Sequence, residues 1–224
     1  MGREKDLSVD INNFIQNYER DWIVELRDDY LEVISKYDVY NKKFFDVPGN
    51  WGPPQRNNDL YFDSEISDYF KRLLYLPNIA VLDFIIRNRE EFQDLKFLDN
   101  GSGFGLLSIF MKKLNLDCYN FDNYDQMGNI NPSEDSFFKK YNIYPPSKLL
   151  PNDINIMMSN GIFITEDGLI DSEFDYLFID SMYLTENPAW DEKWPNRKRF
   201  WSKVDDNYNL EHQYGGVLSI FRHK

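Results

Sequence analysis

The sequence predicts an α/β fold, a mostly parallel sheet flanked by helices with a helical extension before it. Three observations predict it. From residue 93 onward, short apolar runs alternate with helical stretches, the pattern of strands joined by crossover helices. One of those runs, Phe97-Leu98-Asp99, feeds straight into the glycine-rich turn Gly101-Ser102-Gly103-Phe104-Gly105 and then into a helix. Ahead of them, residues 11–37 carry one apolar stripe at spacings of three and four, the signature of a long amphipathic helix.

The stripe runs through Ile11, Phe14, Ile15, Tyr18, Trp22, Ile23, Leu26, Tyr30, Val33, Ile34 and Tyr37, with Glu19, Arg20, Arg27 and Asp28 on the wet side. It ends before Pro48-Gly49-Asn50-Trp51-Gly52-Pro53-Pro54, where prolines and glycines forbid regular structure. A second helix is expected over 64–76. A third starts at Pro77 and runs to Phe92, with Ile79, Leu82, Ile85 and Ile86 turned inward. Residues 1–92 therefore read as an N-terminal helical extension or lid, and residues 93–224 as the sheet domain. In that domain, Lys96–Asp99 and Asp117–Phe121 read as strands around a helix over 106–114. Further strands are expected at Ile162-Phe163-Ile164-Thr165, at Tyr176-Leu177-Phe178-Ile179 and at Gly216–Phe221. Residues 123–155 are polar and punctuated by proline, with one short helix expected near 133–141.

Composition narrows the function. At 224 residues the chain is one domain with an appendage, and its 42% hydrophobic fraction suffices for a core. A net charge of −13 argues against a nucleic-acid partner and against an anionic membrane surface. A lone cysteine, Cys118, and two histidines leave no Cys/His zinc site and no internal disulfide, and no metal site is expected. No apolar run reaches the ~18–20 residues that span a bilayer, and the first residues lack the apolar stretch of a signal peptide. The expected location is cytoplasmic. With only Ala80 and Ala189 against 17% aromatic residues, the composition reads as codon bias of an AT-rich gene, so abundant tyrosine carries no functional weight.

The glycine turn carries the most chemistry. Glycine tolerates positive φ and lets a ligand approach the backbone, and a helix N-terminus offers amides and partial positive charge. At the carboxyl end of a parallel strand, such a turn is where α/β sheets bind ligands, although the same turn also serves without one. Alternating glycines suggest backbone facing a ligand. A methyl at Gly103 is expected to obstruct that ligand, and to be tolerated by the fold if φ there is negative. Asp122 closes the second strand, twenty-three residues past Asp99, where an acid can accept both hydrogen bonds of a ribose diol. Asp125 is a rival, and Asp122 could equally cap a helix.

Phe97-Leu98-Asp99-Asn100-Gly101-Ser102-Gly103-Phe104-Gly105-Leu106-Leu107-Ser108 resembles the first motif of the class I S-adenosylmethionine-dependent methyltransferases, an acid before a Gly-x-Gly-x-Gly turn. Phe174–Asp180 resembles that family's fourth strand, and Tyr214-Gly215-Gly216-Val217-Leu218 its turn into the fifth. The resemblance covers about residues 95–221 and implies a Rossmann-like domain that binds S-adenosylmethionine. By position it implies that Asp99, Gly101, Ser102 and Gly103 receive the methionine portion and Asp122 the ribose. Asp167, in Glu166-Asp167, falls near the adenine amine. The family sheet usually continues with a sixth and a seventh strand, whereas this chain, so read, stops after a fifth and leaves an edge open. A dinucleotide-binding dehydrogenase competes for the turn, but its Gly-x-Gly-x-x-Gly spacing differs, and no Gly-Lys-Ser/Thr marks a phosphate loop.

For catalysis, Asp180 closes a strand at the cofactor-facing edge, where it can orient an acceptor or take its proton, or merely end a strand. His212 is a candidate base near neutral pH and otherwise a structural residue. Asp180 and Tyr183 echo weakly the Asp-Pro-Pro-Tyr motif of amino-methylating enzymes, without its prolines. Trp51, Trp190, Trp194 and Trp201 can stack on a substrate or pin loops. Arg197, Lys198 and Arg199 can meet an anionic group or form a solvated face. The expectation is an S-adenosylmethionine-dependent methyltransferase acting on a small polar acceptor, a sugar or hydroxylated metabolite, with O-methylation favoured and homodimerisation through the N-terminal helices. The alternative is a non-catalytic Rossmann-like module that binds a nucleoside or a protein.

Overall fold

Phe97, Leu98, Asp99 and Asn100 of β1 (Lys96–Asn100) are all buried, so the strand is covered on both faces. A strand of that kind belongs in the middle of a parallel sheet. The computed structural model, which describes residues 25, 26, 28, 29, 32, 75–122, 136–145, 147, 152–159, 172–180, 196–214 and 218–224, places it there. Besides β1, the elements are α1 (Tyr75–Arg87), α2 (Arg89–Phe92), α3 (Leu106–Lys113), β2 (Asp117–Phe121), α4 (Ser136–Tyr141), β3 (Ile156–Ser159), β4 (Tyr176–Asp180), α5 (Asn196–Asn207), β5 (Tyr208–Tyr214) and β6 (Leu218–His223). The strand order is β2-β1-β3-β4-β6-β5. The first four strands of that order are mutually parallel, whereas β6 is antiparallel to β4 and β5 antiparallel to β6. The α/β architecture with a mostly parallel, Rossmann-like sheet is as the sequence predicts.

The chain divides into two units, residues 1–79 with 123–141 and residues 80–122 with 142–224. In the first, residues 25, 26, 28, 29 and 32 are helical, with Leu26 buried and Glu25, Asp28 and Glu32 exposed, in keeping with the stripe. Lys140 reaches Glu25 and Asp29 at 2.6 Å each, and the Tyr141 hydroxyl donates to Asp29 at 2.6 Å. Burial works to raise the Asp29 pKa, but the Lys140 and Tyr141 hydrogen bonds outweigh it and hold the carboxyl below its ordinary value.

In the second unit, register assigns the faces. Phe97, Tyr176 and Phe178 share one face with Cys118 and Asn120. That face receives Phe84 of α1, Phe92 of α2 and Ser108 of α3. The opposite face carries Phe221, against which Trp201 of α5 stands at 6.3 Å. Leu98 and Leu177 on one face are as buried as Phe97 and Phe178 on the other, so the parallel strands are dry on both sides. The core is largely aromatic. Phe178 is fully buried, with its ring centroid 5.6 Å from that of Phe84 and 6.0 Å from that of Phe92.

Two expectations about the sheet need correction. The strand between β1 and β4 is Ile156–Ser159, immediately after the polar stretch, and the expected strand at 162–165 lies outside the described residues. Its Ile-Met-Met run is too short to mark a strand by itself, and pairing with two neighbours makes it one. The second correction concerns the end of the chain. Leu218–His223 is not a parallel fifth strand at an open edge. It pairs antiparallel with both β4 and β5, a strand the hydropathy does not reveal, so an antiparallel pair completes the sheet.

Phe178 sits where α1 and α2 meet the sheet, so its truncation opens a cavity that three elements line. Phe178→Ala is expected to destabilise the protein by about 3–5 kcal/mol, read as a lower denaturant midpoint. A loss below about 1 kcal/mol would show that this aromatic cluster is not the core of the unit.

Candidate functional site

The sheet order reverses at β1: the chain goes from β1 to β2 on one side and then to β3 on the other. The crevice beyond the carboxyl ends of β1 and β3 is the switch point at which open α/β sheets bind ligands. The glycine turn stands at that end of β1. Gly101, Gly103 and Gly105 have φ of 84°, 53° and 70°, and Gly105 is the N-cap of α3. The turn is laced to the end of β2. The Gly101 and Ser102 amides donate to the Phe121 carbonyl at 2.9 and 3.3 Å, and the Gly103 amide donates to Asp122 Oδ2 at 2.7 Å. Gly105 N–H closes the turn on the Ser102 carbonyl at 2.9 Å.

These bonds revise the meaning of the three glycines. All three adopt left-handed backbone, so alanine at Gly103 is strained whether or not a ligand is bound. The condition of a negative φ at that position is not met. Gly105 has a second, internal reason to be glycine: a Cβ there would come within 2.6 Å of Asn120 Nδ2 and 3.1 Å of Ile143 Cδ1.

Asn120 is the residue that sequence reasoning missed. It is buried on β2, accepts from the Ser108 hydroxyl at 2.7 Å and donates to the Tyr144 carbonyl at 2.7 Å. It thus ties α3 and residues 142–145 to the strand that holds the turn. The one signal in the sequence is a polar residue at an inward-facing strand position. Tyr119 and Tyr144 stack beside it, with ring centroids 4.3 Å apart. The Tyr144 phenol is pushed up to about 12, first by its hydrogen bond with Tyr119 and then by burial. Cys118 Sγ lies 3.0 Å from the Ser108 hydroxyl. Burial, and after it the charge of Asp99, pushes the Cys118 thiol far up, so it stays protonated as a core residue.

Among the residues the sequence singles out, the structure brings together Gly101, Ser102, Gly103 and Asp122. Asp99 is buried one residue before the end of β1, on the face shared with Asn120. Ser102 Oγ is buried with no hydrogen-bond partner among the described residues, although its own amide is bonded. Asp180 is the last residue of β4, level with Leu218. Asp167, Asp125, Tyr183, Trp51, Trp190 and Trp194 lie outside the described residues.

His212 is not brought to the turn. It lies on β5, four strands from β1, or about 19 Å at ordinary strand spacing. Its ring packs 5.6 Å from Phe84 and 4.6 Å from Tyr214. Arg197, Lys198 and Arg199 fall in the first turn of α5, and Trp201 packs on the sheet. Among the described residues, no group of three or more His, Cys, Asp or Glu could hold a metal, and no helix is long and apolar enough to cross a membrane.

Gly105→Ala combines left-handed strain of ~1–2 kcal/mol with overpacking against Asn120. It is expected to cost about 2–4 kcal/mol in chemical denaturation. An unshifted midpoint would mean that the Asn120 amide turns aside freely and is no strut.

No protein-family model and no curated protein sequence matches the chain. Among solved structures, it is similar to the SAH-bound methyltransferase of Podospora anserina, at 12% identity over 100% of this chain and 97% of that one, with a TM-score of 0.48. It is similar to a protein named as an S-adenosyl-L-methionine-dependent methyltransferase from Methanococcus maripaludis, at 18% identity over 70% of this chain and 90% of that one, with a TM-score of 0.42. It is also similar to a ribosomal-protein methylase from Lactobacillus delbrueckii, at 17% identity over 78% of this chain and 90% of that one, with a TM-score of 0.40.

Proposed function

We propose that the protein is an S-adenosylmethionine-dependent methyltransferase acting on a small polar acceptor, a sugar or hydroxylated metabolite methylated on oxygen. The observation that carries this reading is the contact between Gly103 and Asp122. It sets a strand-end acid beside a left-handed glycine turn at the switch point of the sheet. Such a pair suits a ligand with a polar chain at one end and a ribose diol at the other. The residues fit this cofactor. Ser102 Oγ is a buried polar atom without a hydrogen-bond partner among the described residues, and a buried hydroxyl of that kind gains from a polar ligand group.

Each side chain then has a role. Asp99 supports the turn from beneath, Gly101, Ser102 and Gly103 receive the methionine portion, and Asp122 receives the ribose. Asp167 serves the adenine amine. When bound, the cofactor supplies a sulfonium methyl, and positioning of the acceptor accounts for most of the rate. Asp180, at the end of β4, orients the acceptor and takes its proton. His212, packed between Phe84 and Tyr214, carries no step in this reading. Residues 1–79 act as the lid and as the surface through which two copies pair, while 80–92, expected to belong to the same extension, fall in the unit of the sheet. The non-catalytic alternative leaned on an unfinished sheet, and the antiparallel β5–β6 pair removes that support.

Calorimetry with S-adenosylmethionine and S-adenosylhomocysteine tests the reading directly. Both are expected to bind, and binding of neither would remove it. With an acceptor in hand, Asp180→Asn is expected to lower turnover by about a hundredfold, as for a lost general base, with cofactor affinity unchanged. Full turnover in that variant would move the proton-accepting role to another residue. Deleting residues 1–60 is expected to leave an aggregating fragment, because the apolar stripe loses its packing. A soluble, monomeric fragment with normal cofactor affinity would make this region an independent accessory.

A further inference from the structure

Glycine visits both signs of φ about equally, so a glycine turn does not choose its own conformation. At Gly103 the choice is made by a partner nineteen residues away in sequence: Asp122 Oδ2 accepts the Gly103 amide at 2.7 Å while φ stands at 53°. The two preceding amides, of Gly101 and Ser102, converge on the carbonyl of Phe121, the residue before Asp122. Those two bonds come from backbone and survive any substitution at position 122. The third is charge-assisted and comes from a side chain. It falls at the point where the turn leaves β2 and heads for α3. Asp122 itself is fixed from the other side, because its amide donates to the Ser147 carbonyl at 3.3 Å and Ser147 bridges to Phe121. The main chain of Asp122 is therefore held in place, and its carboxylate clamps a residue, Gly103, that has no side chain of its own.

This deepens the cofactor reading and rests on it. We propose that Asp122 is a positioning residue for the glycine turn as well as a ribose ligand. By holding the Gly103 amide, it fixes the turn in the conformation that receives the amino-acid end of the cofactor. The two ends of one ligand are thereby coupled through a single carboxylate. A residue that touched only the ribose would affect every ligand carrying that ribose equally. A clamp penalises in addition those ligands that reach the turn.

The test uses the full chain and the variants Asp122→Ala and Asp122→Asn, with two readouts. Without ligand, NMR measures exchange of the Gly103 amide proton. Asp122→Ala is expected to speed it by about tenfold or more, in line with loss of a hydrogen bond to a charged group. Asp122→Asn, whose Oδ1 still accepts, should change it by no more than about threefold. Equal rates in the native chain and Asp122→Ala overturn the clamp. In the second readout, calorimetry compares S-adenosylhomocysteine with methylthioadenosine, which shares the nucleoside and lacks the amino-acid end. Asp122→Ala should cost S-adenosylhomocysteine about tenfold more affinity than it costs methylthioadenosine, and Asp122→Asn should restore most of that difference. The same factor for both ligands overturns the proposal and leaves the cofactor reading standing. Binding of neither by the native chain removes the cofactor reading, and the proposal with it. Where the alanine variant does not fold, Asp122→Ser, too short to reach the amide, takes its place with the same expected outcomes.

Discussion

The hold that the end of β2 keeps on the glycine turn is the constraint on which the rest of the site depends. Three consecutive amides, of Gly101, Ser102 and Gly103, are bonded by two adjacent residues, Phe121 and Asp122. That lacing is possible only because β2 pairs in parallel with β1, with Asn100 level with Phe121, so the strands end together. It also needs β2 to be held at a fixed height. Asn120 supplies this, joined to Ser108 of α3 on one side and to the Tyr144 carbonyl on the other. A buried amide satisfied on both its oxygen and its nitrogen costs little to bury and a good deal to disturb. The fixed place of the Asn120 amide is also why a Cβ at Gly105 would have no room.

The parts of this arrangement that were legible in the sequence are those in which local chemistry and tertiary context agree. Phe97-Leu98 ahead of alternating glycines, and Cys118–Phe121 ahead of an acid, read correctly because strand, turn and helix signals all point one way. Leu82 and Ile85 face inward as their spacing predicts. The parts that were illegible have their structure imposed from outside. β3 is a four-residue strand with two methionines, made by its two neighbours. β5 buries only Tyr208 and Tyr214, at its ends, and shows no alternation between them. In the site, the spacing of Asp122 from Asp99 was readable, but its bond to Gly103 was not, since no local pattern encodes a contact between a side chain and a distant amide. Asn120 was unreadable for the same reason.

The ends of β5 explain how so polar a strand can complete the sheet. The Tyr208 hydroxyl accepts the Phe174 amide at 3.1 Å, and the Tyr214 hydroxyl donates to Asp83 Oδ2 at 2.7 Å. Asp83 is almost wholly buried on α1, and Arg87 Nε reaches both its oxygens at 3.0 Å. Burial first, and then the hydrogen bond to Asp83, pushes the Tyr214 phenol far above its ordinary value, which favours the protonated form that donates. Two phenols therefore pin the strand by its ends, and its middle is free to be polar.

That freedom resolves the problem posed by an edge. A sheet that ended on an apolar parallel strand would offer a template to any passing strand. Here β5 carries Glu211 and Gln213 outward, and a bulge between Leu210 and His212 breaks its register with β6. Charge and irregularity both oppose further pairing. At the other edge, β2 is capped by a bridge to Ser147, which also seats the amide of Asp122. The two edges are thus closed by different means with different consequences. The outer edge needs only to refuse a partner. The inner one must also hold an acid still beside a glycine, so the contact that ends the sheet is the contact that sets the site.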